Sequence, residues 1–277
     1  MDSTPQSSSL RQTWLIASYE LSKRFTNTKG IAALIAFSLL WAIILLYPVQ
    51  SASVYMLEPG FKELVQGIYG PDALSQLFSW KVAEFAVFWC IALYVFPMFS
   101  IFITADQFSS DKQCGSFRFL SLRVSRDSIF FGRFLGQMLI QSCLLLLTIL
   151  ATLLMVLSRD ASLFMDALGS GVTVFINIFI ALLPYTAVMA ALSWYANSAR
   201  QASIYAVILW AVSNILIMII NSQIPAMSFL SWVLPGSQLS LMINTQGLNS
   251  LMYAPIPLIQ TLVILIAGRV YMQRSAL

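Results

Sequence analysis

Histidine is absent from this 277-residue sequence, and charged residues make up only 9% of it. Without histidine there is no Ser-His-Asp or Cys-His relay and no His-ligated metal. The three cysteines, Cys90, Cys114 and Cys143, form no CxxC pair, and two lie in apolar runs. Neither a disulfide framework nor a zinc site is indicated. No G-x-x-x-x-G-K-[ST] occurs, so the chain cannot cradle a nucleotide's phosphates by that route. The low charge compares with about 25% in soluble domains. Apolar residues reach 59% and the mean hydropathy is +0.82. This is the composition of an integral membrane protein.

A spanning helix needs roughly 20 apolar residues. Six runs meet that length, at 31–48, 84–104, 134–157, 171–195, 202–221 and 255–273. They predict an all-α polytopic membrane bundle of six transmembrane helices within residues 30–277. Residues 1–9 read as a disordered tail. Residues 10–29 place Leu10, Trp14, Ala17, Leu21 and Phe25 three or four apart, with Arg11, Glu20, Lys23 and Arg24 between them. That pattern predicts an amphipathic helix in the interface plane. Pro97 and Pro184 fall inside spans, where a bundle tolerates them. Residues 222–254, apolar but broken by Pro225 and Pro235, predict a segment in the outer interface or one that re-enters the bundle.

Of the 15 basic residues, only Lys62, Lys81 and Arg159 fall opposite the side that holds the N-terminus. The positive-inside rule therefore puts both termini in the cytoplasm, and the net charge of +4 reads as orientation rather than nucleic-acid affinity. No span has an ionisable centre, which speaks against proton or sodium coupling. Glu84 and Asp106 sit at opposite ends of the second span, where the interface can solvate them. The deeper polar residues are Gln137, Gln141, Asn177, Asn214 and Asn221. They read as bundle glue or as a substrate path. Gly132-x-x-x-Gly136 has the spacing of a close-packing helix face.

The stretch 105–136 interleaves charges with Phe117, Phe119, Leu120, Ile129, Phe130 and Phe134. A merely solvated loop has no use for such aromatics, whereas a short helix docking on a partner protein needs both kinds of residue. Its run Asp111-Lys112-Gln113-Cys114-Gly115-Ser116-Phe117, then Leu120-Ser121, Val124-Ser125-Arg126 and Gly132-Arg133-Phe134-Leu135, resembles the first cytoplasmic loop of the type-2 ABC exporter permeases. Residues 14–21 are similar to that family's interfacial connecting helix, with Trp14, Glu20 and Leu21 as its marked positions. Ser231-Trp232-Val233-Leu234-Pro235 resembles the Pro-centred segment before its last helix. The chain departs from the family pattern at Asp111-Lys112-Gln113, usually Glu-rich, at Ser116, usually Thr, and at Arg123, often Pro.

The resemblance implies a membrane-spanning permease subunit in the bacterial inner membrane that is not itself an enzyme. A separate cytoplasmic ATPase would bind ATP and magnesium, so no cofactor belongs to this chain. A second permease copy, membrane lipid and an extracytoplasmic accessory protein are the further expected partners; nucleic acid is not. The ATPase-docking loop would comprise Asp111, Lys112, Gly115, Phe117, Arg118, Leu120, Arg123 and Arg126. Phe117 and Leu120 would fill an apolar pocket of the ATPase, and Arg118, Arg123 and Arg126 would meet its acidic rim. Asn177, Asn214, Asn221 and Pro235 mark an expected translocation path. An ATP-independent anchor or channel component is the alternative, although a channel calls for a polar or charged ring along its pore and these spans show almost none. A membrane-embedded enzyme lacks its Ser-His pair, paired aspartates or zinc motif.

Overall fold

The computed structural model describes residues 9–58, 60–69, 75–113, 115–243, 245 and 247–274. The expected tail, apart from Ser9, lies outside the described residues. Ser9–Thr26 (α1) is followed by Thr28–Ile44 (α2), a π turn at Leu45–Val49 and Gln50–Leu57 (α3). Phe61–Tyr69 (α4) and Ser75–Phe78 (α5) lead to Ala83–Ile103 (α6). Short helices Ser109–Gln113 (α7) and Ser116–Ser121 (α8) precede Arg126–Arg159 (α9). Phe164–Tyr195 (α10), Ala199–Gln223 (α11), Leu239–Ile243 (α12) and Pro255–Arg274 (α13) complete the order, with no strand among the described residues. Among the described residues, six helices are long and apolar enough to cross a membrane. The expected all-α polytopic bundle is what the chain forms.

The span boundaries differ from those read in the sequence, and caps and a π turn explain why. The first span does not stop at Pro48 but runs on to Leu57. Proline removes one backbone donor, and the π turn around it absorbs the missing bond so that the helix continues. The third starts at Arg126, eight residues before the apolar run, because the Ser128 amide donates to the Ser125 hydroxyl at the helix start (3.1 Å). The fourth begins at Ala161, where Asp160 accepts from the Ser162 amide (2.9 Å) and caps a 3-10 turn that leads into α10 at Phe164.

The core lies between α6, α9 and α10, where Phe85, Phe88, Leu93, Leu145, Ile178 and Leu182 are fully buried. Trp41 of α2 reaches it, with ring centroids 5.5 Å from Phe88 and 5.0 Å from Phe96. Inside the core, Gln141 donates to the Thr186 hydroxyl (2.9 Å), which also meets Ser100 (3.3 Å). One polar cluster thereby ties α6, α9 and α10, as the bundle-glue reading requires. Glu84 is not solvated as expected. It is buried at the start of α6 and held by the Arg159 guanidinium through two bonds, 2.6 and 3.1 Å.

Residues 225–243 do re-enter the bundle. A 3-10 helix at Pro225–Val233 packs along α11, and the chain turns at Pro235-Gly236. Gly236 has φ +99°, and a Cβ there would lie 2.2 Å from the Tyr185 hydroxyl. The Pro235 carbonyl accepts from the Trp210 indole (3.3 Å), and Trp210 stacks on Tyr185 at 4.8 Å. Tyr185 lies 21 residues, about 30 Å of helix rise, from the Phe164 end of α10. The turn is therefore deep in the molecule, not at its rim. Gln260 satisfies its backbone by donating to the Trp232 (2.6 Å) and Leu234 (3.1 Å) carbonyls, as buried irregular backbone demands.

Candidate functional site

The starts of α1 and α9, the 104–125 segment and the C-terminal ends of α10 and α13 gather at one basic end. Helix α1 runs alongside the start of α9 in the same direction. Ser9 meets Ser128 (3.1 Å between hydroxyls), and further along α1 Glu20 lies against Gly136. Gly132 and Gly136 form the seat. A Cβ at Gly132 would lie 2.8 Å from Ile16 Cβ, and one at Gly136 2.9 Å from Glu20 Cβ. The close-packing spacing thus serves a contact within the chain. The inward face of α1 is Thr13, Ile16, Ala17 and Glu20, while Leu10 and Trp14, expected as part of the apolar face, are exposed. α1 is a helix docked on a neighbour rather than one held by a bilayer surface alone.

Arg133, three residues before Gly136, is buried at 5% exposure. Its guanidinium ion-pairs with Asp111 of α7, donates to the Gln107 carbonyl, and faces Glu20 of α1 at 3.8 Å. The same group lies 5.3 Å over the Phe108 ring, a cation–π position. One buried cation therefore touches α1, α7 and the 104–108 turn. The sequence carried a signal for it: a lone arginine inside Ile129-Phe130-Phe131-Gly132-Arg133-Phe134-Leu135 has no solvated side to face.

Several expected docking residues serve the chain itself instead. Phe117 does not project to a partner. It is 2% exposed and packs on Trp194, with ring centroids 4.8 Å apart, in a cluster with Phe108, Ile129 and Phe130. Lys112 donates to the Trp194 (3.2 Å) and Tyr195 (3.5 Å) carbonyls at the end of α10, and Arg126 donates to the Met272 and Gln273 carbonyls, both 3.3 Å, at the end of α13. Both place a cation where the helix dipole is negative. Asp127 beside Arg126 takes two bonds from Arg269 (3.0 and 2.6 Å). The Arg118 side chain lies outside the described residues. Arg123 alone among Lys112, Arg123 and Arg126 is exposed with no partner among the described residues. Gly115 has φ +69° at the start of α8, which is the conformational freedom expected of it.

Between α1 and α8 opens a cleft of about 890 Å³ lined by Leu15, Tyr19, Lys23, Phe119, Leu122 and Arg123. Half-buried Leu120 also lines it, and Glu20, Asp111 and Arg133 form its floor. Phe119 and Leu122, two and five residues after the buried Phe117, are exposed at 76% and 83%. Large apolar residues bared on and just after a short helix, beside two cations, are surface with a purpose.

The family model described as ABC-2 family transporter protein matches residues 14–271. The chain belongs to that family. No curated protein is detectably similar to it in sequence. It is thus the membrane-spanning subunit type of an ABC transporter, which is not itself catalytic, and it is an integral membrane protein. The ABC-2 match takes in α1 from Trp14 onward, the first five spans and the sixth up to Tyr271.

The expected translocation residues are only partly brought together. Asn177 is buried in α10 and donates to the Thr173 carbonyl (2.9 Å). Asn214 lies on the exposed face of α11 and donates to the Trp210 carbonyl (2.7 Å). The Trp210 indole also donates to the Pro235 carbonyl, so Asn214 and Pro235 are both bonded to Trp210. Asn221 lies farther along α11, half-buried.

Proposed function

We propose that the chain is the permease subunit through which a separate ATPase drives transport, and that the ATPase docks in the cleft between α1 and α8. The observation that carries this is the pair Phe119 and Leu122. Phe119 is bared on α8 and Leu122 just after its last residue, while Phe117 on the same helix is fixed in the core. The apolar anchors would enter the ATPase, with Arg123 and Lys23 facing acidic groups on it. ATP and magnesium belong to that partner. The basic end is then the cytoplasmic one, in a bacterial inner membrane, with both termini on that side.

Two copies would form the transporter. Supporting this is α11, whose buried residues are only Ala202 and Ala206, yet which carries an exposed amide at Asn214. Beyond its bond to the Trp210 carbonyl, an amide facing hydrocarbon has further hydrogen-bonding capacity that a second copy would meet. Substrate would pass between the copies near Asn214 and Pro235, with Asn177 and Asn221 above. An extracytoplasmic accessory protein would meet the opposite end. Purifying the full chain from its own membranes in mild detergent tests the reading. An ATP-hydrolysing subunit in equal amount supports it, and its absence from an active preparation overturns it.

A further inference from the structure

We infer that Arg133 is the positioning residue that holds the docking cleft in shape, by clasping α1 and the α7–α8 segment to the same point on α9. The inference rests on the docking reading of that cleft, but its geometry stands apart from any ATPase. The two walls of the cleft come from chain regions about a hundred residues apart, Leu15 and Tyr19 on one side, Phe119 and Leu122 on the other. A polar link between those walls runs through the Arg133 guanidinium. Glu20 reaches the guanidinium from α1 and Asp111 reaches it from α7, with the Gln107 carbonyl and the Phe108 ring closing the remaining sides.

Three features mark this as more than packing. Arginine's planar fork can serve several acceptors at once, where a lysine ammonium acts as a point charge. The cation is 5% exposed, so each carboxylate acts on it with little screening. Losing one partner leaves the others with an uncompensated buried charge. The glycine seat for α1 lies beside the clasp, at Gly132 and Gly136. The seat fixes how close α1 comes to α9, whereas the clasp fixes how α1 sits relative to α8. Motion of either wall must therefore be felt at Arg133, and through it along the rigid α9 span.

The test uses the full chain in lipid nanodiscs, cleared of its own cysteines, with spin labels at Leu15→Cys and Leu122→Cys across the cleft. A second labelled pair, Tyr55→Cys and Met165→Cys, reports the opposite end. Distances are read by pulsed electron resonance. The wild-type background should give one narrow cleft distance, and Arg133→Gln should broaden it while the opposite pair stays narrow. Glu20→Gln and Asp111→Asn should each broaden it less, and Glu20→Gln added to Arg133→Gln should change nothing further. Arg133→Lys should recover part of the narrowing. A cleft distance as narrow in Arg133→Gln as in the wild type overturns the inference. So does broadening of both pairs together, which would make Arg133 a prop of the whole bundle. Neither result depends on an ATPase, so the docking reading stands or falls separately on the purification above.

Discussion

Phe117 and Phe119 are two positions apart on one short helix and do opposite jobs. Truncating the buried one, Phe117→Ala, should cost about 3–5 kcal/mol of fold stability, as buried aromatic deletions do, and appear as a lowered melting temperature. Phe119→Ala should leave the melt unchanged and weaken ATPase association instead, by about 2 kcal/mol or more for a central anchor. Arg123→Ala should act mainly on the association rate and lose its effect in high salt, as rim charges do. At Gly115 the φ of +69° discriminates between side chains, although no neighbour would touch a Cβ there. Gly115→Val should impair coupling and Gly115→Asn much less, because asparagine tolerates the left-handed region and a β-branched residue does not. The docking loop was legible as a loop that binds something. Its individual anchors were not, because a six-residue helix bears Phe117 and Phe119 two positions apart, on opposite faces, and only the position of Trp194 decides which faces in.

At the scale of elements, hydropathy located all six spans but not where they begin. Apolar runs report the part in lipid, whereas Ser125 and Asp160 set the starts by hydrogen bonds that add no hydropathy. The first apolar run was bounded at residue 48, and the π turn that carries the helix past Pro48 has no sequence mark. For α1 the helix was legible and its partner was not, since periodicity shows a face without saying what covers it. Glu20 and Thr13 on that inward face look like solvent residues until Arg133 and Gly132 are placed against them. The seat makes a prediction. In a chain cleared of its own cysteines, Ser9→Cys and Ser128→Cys should form a disulfide, their hydroxyls being 3.1 Å apart. Adding Gly136→Val, whose side chain has 2.9 Å to Glu20 Cβ, should abolish that cross-link. Undiminished cross-linking in the glycine variant would show that α1 is held by something other than the seat.

For the molecule as a whole, the α1 wall and the α8 wall of the cleft come together at the end richest in basic residues, and that is where the energy source is proposed to enter. The sidedness has its own check. A membrane-impermeant thiol reagent applied outside should label Gln66→Cys and spare Leu122→Cys, and the reverse pattern would place the cleft away from any cytoplasmic ATPase. The central claim, that the cleft between α1 and α8 is the docking site, is tested most directly by photocrosslinking. A photoreactive phenylalanine at position 119 of the full chain, irradiated in native membranes, should join the chain to an ATP-hydrolysing subunit, while the same group at the buried position 117 should react within the chain. An ATPase that copurifies with the chain yet crosslinks from neither position 119 nor position 122 would contradict the account.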